Sequence, residues 1–361
     1  MATTSGKPFL VIGVGSFMLG LALIPFFKNS APLVLSAGLI FLAIAFSRYP
    51  SLKIFSFTIW IFASVTLAMF YPQFFTEIGG LSTKSLIVPL LQLIMFGVGS
   101  TMGLKDFEGV IRMPKPVFIG LLCQFTIMPL VGFIIAKTFE FPSEVAAGII
   151  LIGCVPSGLA SNVMSYLAKA NVALSVTLTS VATLLAPVIT PFLMYHLAGS
   201  FIQVDFLTMM KDIFNIVLLP IGAGLVFHHF LGGKFPWLDR SMPVVSMVSI
   251  AAIITVITAS GRDSLLQVGP LLILACLLHN LSGYFLGYYS SKLFGMDERS
   301  CRTVAIEVGL QNRGLASGLA LSMGKLVALA PALFGPIMNI TGSILASHWH
   351  NRPVDSKTVV D

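Results

Sequence analysis

The sequence predicts an all-α polytopic membrane protein, and three observations carry the prediction. Of its 361 residues, 56% are hydrophobic and only 10% are charged, against about a quarter charged in an ordinary soluble domain. Mean hydropathy is +0.95. The few charges fall in clusters that separate one apolar run from the next. A bilayer span needs roughly 20 apolar residues, so the length suits ten to twelve spans joined by short loops.

Twelve apolar runs follow in order. The first six are Phe9 to Phe27, Ala31 to Phe46, Ile54 to Phe75, Leu86 to Gly103, Val117 to Ala136 and Val145 to Leu167. The second six are Val172 to Leu197, Phe214 to Leu231, Met242 to Ala259, Leu271 to Leu293, Thr303 to Ser322 and Leu326 to Trp349. They are continuously apolar rather than alternating, which predicts spanning helices and not the strands of a barrel. The first run is longer than the apolar core of a signal peptide and lacks a small-x-small exit, so it reads as a helix.

The net charge of +7 marks topology rather than a nucleic-acid partner, because the basic residues punctuate apolar runs and form no basic face. Fourteen lie on the side of both termini: Lys7, Arg48, Lys53, Lys105, Arg112, Lys115, Lys169, Lys234, Arg240, Lys292, Arg299, Arg302, Arg352 and Lys357. Six lie opposite: Lys28, Lys84, Lys137, Lys211, Arg262 and Lys325. This bias predicts cytoplasmic termini, and a prokaryotic cytoplasmic (inner) membrane is the expected location. Cys123, Cys154, Cys276 and Cys301 are far apart and show neither disulfide nor zinc spacing.

Gly158-Leu159-Ala160-Ser161 in the sixth run recurs as Gly314-Leu315-Ala316-Ser317 in the eleventh. The match reads either as small-residue helix packing or as a mark of duplication, since interrupted spans at corresponding places point to a transporter site. Under the second reading, two inverted five-helix repeats cover about 54–197 and 214–349. The domain boundaries are then an accessory two-helix hairpin at 1–50, a symporter domain at 51–352 and a cytoplasmic tail at 353–361. The hairpin carries no functional motif, and packing, dimerisation and anchoring all remain open for it.

Among the 14 acidic residues, Glu307 stands apart because it alone falls within an apolar run, beside Gln311, Asn312 and two glycines. A charge in lipid costs about 2.5 to 3.5 kcal/mol even on insertion scales, so this cluster is expected to face a cavity. The partner segment is Gly153 to Asn162, where Pro156 removes a helix donor and Gly158 tolerates unusual backbone angles. Together they should unwind the helix. Freed carbonyls with Ser, Thr and Asn oxygens suit a small hard cation, and a half-helix N-terminus suits an anion.

These residues resemble the bile acid:sodium symporter family. The likeness is carried by Ser161-Asn162-Val163-Met164-Ser165-Tyr166-Leu167-Ala168, Val172-Ala173-Leu174-Ser175-Val176-Thr177 and Glu307-Val308-Gly309-Leu310-Gln311-Asn312. Gln124 to Pro129, Leu278-His279-Asn280 and Asn339 to Ser343 extend it, so that it covers about Ile54 to Trp349. The resemblance implies panel and core domains with two crossed discontinuous helices. It implies two sodium ions, one held by Ser161, Asn162, Ser175, Thr179 and Glu307. The second would be held by Gln124, Glu307, Gln311 and the carbonyls of Val308 and Leu310. It also implies that the organic anion meets Asn312 with the half-helix end at Pro156, Ser157 and Gly158. Arg313 and Met338 depart from the family pattern; Arg313 is either an added anchor for a carboxylate or sulfonate, or a side chain reaching water from a helix end. His279, with Asn280, reads as a structural interhelical pair, with a proton relay as its other role.

The expected function is sodium-coupled symport of a small organic anion, bile-acid-like or a carboxylate or sulfonate, by alternating access. Proton coupling through the same carboxylate is the alternative, and a proton would need no oxygen cage. An enzyme is not expected, because no HExxH, nucleophile elbow, aspartate pair or phosphate-binding glycine loop occurs.

Overall fold

Where no water reaches, each backbone N–H and C=O must find its partner within its own segment, and an apolar run therefore folds as a helix. The computed structural model describes residues 6–27, 30–49, 52–103, 106, 108–231, 236–324, 326–352 and 354. Its first elements are α1 (Lys7–Leu23), α2 (Ala31–Arg48), α3 (Lys53–Phe70), α4 (Gln73–Thr76), β1 (Glu77–Ile78) and β2 (Leu81–Ser82). Then come α5 (Ile87–Thr101), α6 (Glu108–Arg112), α7 (Pro114–Thr138), α8 (Ser143–Cys154), α9 (Ala160–Leu167) and α10 (Val172–Ala198). The rest are α11 (Phe206–Ile213), α12 (Leu219–Leu231), α13 (Pro236–Ser260), α14 (Arg262–Leu293), α15 (Glu298–Gly309), α16 (Arg313–Met323) and α17 (Leu329–His350). A π-helical turn at Phe214–Leu218 joins α11 to α12, so the segment Phe206–Phe230 runs as one apolar rod.

Among the described residues, seven helical segments are long and apolar enough to cross a membrane, and four shorter apolar helices accompany them. Each of the twelve apolar runs coincides with helix; the third is broken near its end between α3 and α4, and the sixth and eleventh are each split in two. Lys28, Lys105, Lys234, Lys325 and Lys357 of the charge pattern lie outside the described residues, as does the tail at 353–361 except for residue 354.

The chain divides into two compact units, one of residues 1–90 and 245–267, the other of residues 91–244 and 268–361. In the first, α1 and α2 pack through small residues. A Cβ on Gly20 would stand 2.6 Å from the Leu35 nitrogen, one on Gly13 would stand 2.8 Å from the Leu42 nitrogen, and one on Gly38 would meet the Phe17 backbone. Such close backbone approach is how helices gain dispersion contact in lipid. Ser56 of α3 donates to the Ala43 carbonyl at 2.8 Å, and Arg262 donates to the Met69 carbonyl at 2.6 Å.

The second unit gathers α7 to α10 with α14 to α17. Gly153 lets α8 lie against α7, since a Cβ there would come within 2.5 Å of the Met128 carbonyl oxygen. Arg302, assigned to a loop before a run starting at Thr303, lies in the second turn of α15 with its side chain only 5% exposed. The helix begins earlier because Asp297 caps it, accepting from the Ser300 nitrogen at 3.0 Å.

Candidate functional site

Two interruptions meet in the second unit. Helix α8 stops at Cys154 because Pro156 cannot continue the hydrogen-bond ladder, and Val155 is extended (φ −78°, ψ 157°). Thr190 takes up the carbonyl left at that end, donating to Cys154 at 2.8 Å. Helix α15 stops at Gly309, whose carbonyl accepts from Asn280 Nδ2 at 2.7 Å. The two extended pieces then pair with each other. Gly158 N–H donates to the Leu310 carbonyl at 3.0 Å and Asn312 N–H to the Pro156 carbonyl at 2.8 Å, forming an antiparallel bridge between Ser157 and Gln311. Buried backbone groups that two broken helices would otherwise strand are satisfied in this way. A Cβ on Gly158 would lie 3.1 Å from the Gln311 carbonyl oxygen, a tight fit beside the bridge.

Glu307, in the last turn of α15 and only 2% exposed, points into a ring of hydroxyls. Ser157 Oγ and Thr179 Oγ1 donate to its Oε2 at 2.5 and 2.9 Å, and Ser175 Oγ donates to its Oε1 at 2.5 Å. Ser175 Oγ also lies 2.9 Å from Asn162 Oδ1, and Ser161 Oγ lies 3.2 Å from Thr179 Oγ1. A hydroxyl has one proton and two lone pairs, so it can donate to the carboxylate and still turn a lone pair to a cation. Ser161, Asn162, Ser175, Thr179 and Glu307 thus come together as one oxygen-rich cluster. Ser157, assigned from the sequence to the substrate, is a direct partner of the carboxylate as well.

The second oxygen set forms beside the bridge. Gln124 Nε2 donates to Gln311 Oε1 at 2.8 Å and to the Val155 carbonyl at 3.2 Å, while Gln311 Nε2 donates to the Val308 carbonyl at 2.6 Å. Gln124 Oε1 is buried with no hydrogen-bond partner among the described residues, a free acceptor that a cation would satisfy. The Leu310 carbonyl, bonded once by Gly158, retains its second lone pair. Among the described residues no hydrogen bond joins Gln124 or Gln311 to Glu307, so the two sets share the 307–311 backbone rather than a side-chain contact.

A cavity of about 190 Å³ opens on this cluster. Ser157, Asn162, Thr179 and Asn312 line it, together with Ser180, Thr183, Asp106 and an apolar wall that includes Met95, Met102 and Ile221. Asn312 caps α16, accepting from the Leu315 nitrogen at 3.0 Å, so the positive end of that half-helix starts at the cavity. Pro156 and Gly158 contribute backbone to the bridge behind it.

Arg313 does not line this cavity. It is 8% exposed and packs on α17, where a Cβ at Gly335 would stand 2.5 Å from its Cδ. His279 lies 2.9 Å from the Met128 carbonyl through Nε2, an interhelical bond. Ser180, Thr183 and Asp106 were not singled out from the sequence. The i, i+4 spacing of Thr179 and Thr183 on α10 is the signal that would have found the helical part of this wall.

Known proteins carry the same pattern of sequence. The profile of the Sodium Bile acid symporter family matches residues 88–268. The chain is 41% identical over 298 residues to the uncharacterized sodium-dependent transporter YocS of Bacillus subtilis, covering 82% of this chain and 91% of that one. It is 35% identical over 297 residues to the probable sodium/metabolite cotransporter BASS1, chloroplastic, of Arabidopsis thaliana, covering 81% of this chain and 73% of that protein. To the probable sodium/metabolite cotransporter BASS2, chloroplastic, of Oryza sativa it is 34% identical over 304 residues, covering 82% and 70%. With that extent of match and an apolar helical architecture around one buried carboxylate, the chain is a membrane transport protein that belongs to the sodium bile acid symporter family.

Proposed function

We propose that the protein couples the entry of sodium to that of a small organic anion. The observation that carries this reading is the buried Glu307 carboxylate, ringed by hydroxyls where two broken helices pair. A carboxylate in a lipid-embedded core requires neutralisation, and the oxygen lone pairs around it suit an alkali cation. One sodium ion is assigned to Ser161, Asn162, Ser175, Thr179 and Glu307, with Ser157 supporting the carboxylate. A second is assigned to Gln124, Gln311, Glu307 and the carbonyls of Val308 and Leu310, and the unsatisfied Gln124 Oε1 supports it.

The anion is assigned to the cavity at Asn312, with Ser157 on its wall and the backbone of Pro156 and Gly158 behind. Two sodium charges and a half-helix N-terminus would stabilise a carboxylate or sulfonate there. The cavity of about 190 Å³ has room for a small carboxylate or sulfonate. Arg313, packed on α17 away from the cavity lining, is assigned no direct contact with the anion.

Alternating access is assigned to a core carrying the broken helices moving against a panel, within inverted repeats at about 54–197 and 214–349. On this reading residues 1–50 are an accessory hairpin, 51–352 the symporter and 353–361 a cytoplasmic tail, with both termini in the cytoplasm. The printed names of the relatives favour sodium over protons, and the Bacillus subtilis relative favours a bacterial cytoplasmic membrane.

Uptake into proteoliposomes tests the proposal, with radiolabelled pyruvate and pantothenate as first probes and a panel of carboxylates and sulfonates beyond them. At fixed pH, replacing external choline with sodium should accelerate uptake, and Glu307→Gln should abolish the acceleration. Sodium-indifferent uptake overturns the coupling; uptake that follows a pH gradient without sodium assigns the carboxylate to protons.

A further inference from the structure

We propose that Arg302 is a positioning residue for the sodium cage, holding the half-helix that carries Ser161 and Asn162 against the half-helix that carries Glu307. This deepens the reading of the cage given above and rests on it. Arg302 and Glu307 are both on α15, five residues apart and therefore roughly 7.5 Å along the axis. The Arg302 guanidinium donates to the carbonyls of Ala168 at 3.3 Å, Trp349 at 3.2 Å and Arg352 at 3.0 Å. Its Nε pairs with Glu298 Oε1 at 2.9 Å, and the other oxygen of Glu298 accepts from the Tyr288 hydroxyl at 2.6 Å. The cation therefore sits, buried and charge-balanced, at the C-terminal ends of α9 and α17, where unsatisfied carbonyls carry partial negative charge.

Helix α9 is the element this arrangement controls. It has eight residues, too few to hold its shape unaided, and no side chain caps its start. At its far end Arg302 takes the Ala168 carbonyl and His350 Nδ1 lies 2.9 Å from the Leu167 carbonyl. Just beyond, Asn171 N–H donates to Thr303 Oγ1 at 2.9 Å, with the same hydroxyl 3.0 Å from the Asn171 carbonyl. Helix α9 is thus fixed at one end by the backbone bridge of the crossover and at the other by α15 itself. Its first turn supplies Ser161 and Asn162 to the oxygen cluster. Loosening the far end would let those oxygens wander while Glu307 stays, and an ion cage depends on fixed spacing. A lysine cannot replace the planar fork, since one ammonium does not reach acceptors spread over three carbonyls and a carboxylate.

The test uses the full-length protein in detergent, with sodium chloride against choline chloride as the probe and thermal unfolding as the readout. Two quantities are separated: the melting temperature without sodium, and the sodium concentration giving half of the maximal stabilisation. Arg302→Gln should raise the half-saturating sodium concentration about tenfold or more, and Arg302→Lys about threefold. Thr303→Val should raise it in the same direction. Ser56→Ala, which removes a buried hydrogen bond in the first unit, serves as the control for destabilisation alone. It should lower the melting temperature and leave the half-saturating concentration unchanged. If Arg302→Lys follows the Ser56→Ala pattern, the proposal is overturned, and the same holds for Arg302→Gln. Should Arg302→Gln fail to fold, Arg302→Lys and Thr303→Val decide by the same criterion. A wild-type protein that sodium does not stabilise overturns the cage itself, which distinguishes that failure from this one.

Discussion

The two broken helices use one backbone device and contribute unlike chemistry. The α8/α9 break is made by a proline and spans residues 155–159, whereas the α15/α16 break spans residues 310–312 and contains no proline. The first leads into α9 with no side-chain cap; the second leads into α16 under the Asn312 cap. With α10, the first supplies hydroxyls and the Asn162 amide, and the second supplies the carboxylate and the Gln311 amide. Even the shared Gly-Leu-Ala-Ser motif lies differently. Gly158 sits in the extended break and Ser161 in the hydroxyl cluster, while Gly314 and Ser317 both lie within α16. The lesson is that a matched pair of interruptions builds the crossover, and the mismatch between their side chains builds the site.

That contrast can be broken from either side. The largest effect should come from Glu307→Gln, which keeps the shape of the second half and removes its charge. Sodium-dependent stabilisation should then fall by at least about 100-fold in apparent affinity, since the hydroxyl ring loses the anion it surrounds. Ser175→Ala attacks the partner half. A hydrogen bond to a charged group is worth about 1.5–3 kcal/mol, so sodium affinity measured by titration should weaken roughly 10- to 100-fold. Gly153→Ala tests the backbone rather than the cage: its Cβ would press on the Met128 carbonyl at 2.5 Å, and a loss of about 1–3 kcal/mol in thermal or denaturant unfolding is expected. Gly158→Ala, at 3.1 Å from the Gln311 carbonyl, should be milder, and the reverse order would contradict the crossover geometry. Smallest is Asn312→Ala, which removes a cap worth about 1 kcal/mol and should lower the unfolding midpoint slightly. The matching change Leu159→Ala has no capping bond to lose.

The hydrophobic pattern made the helices legible because apolar runs bounded by charge have one low-energy fold in lipid. Glu307 was legible for the same reason in reverse: one acid within an apolar run has to be explained by a partner. The split in the sixth run was legible from Pro156. Arg302 was not, because a basic residue near the edge of an apolar run looks like a loop charge until Ala168, Trp349 and Arg352 bring their carbonyls to it. The contact of Ser157 Oγ with Glu307 is not legible in the sequence, because it joins residues 150 positions apart. Arg313 left two roles open in the sequence, and its packing beside Gly335 on α17 corresponds to neither a cavity wall nor an exposed helix end.

Residue order alone determined that this chain is helical, lives in a bilayer, and carries an acid where an acid is expensive, since each follows from the transfer energies of neighbouring side chains. Which oxygens surround that acid was decided only by tertiary structure. Ser157, Ser175 and Thr179 reach one carboxylate from the first break and from α10, up to 150 positions away in the chain. Local propensity has no term for such pairings; they exist because two interrupted helices bond to each other through their exposed backbones.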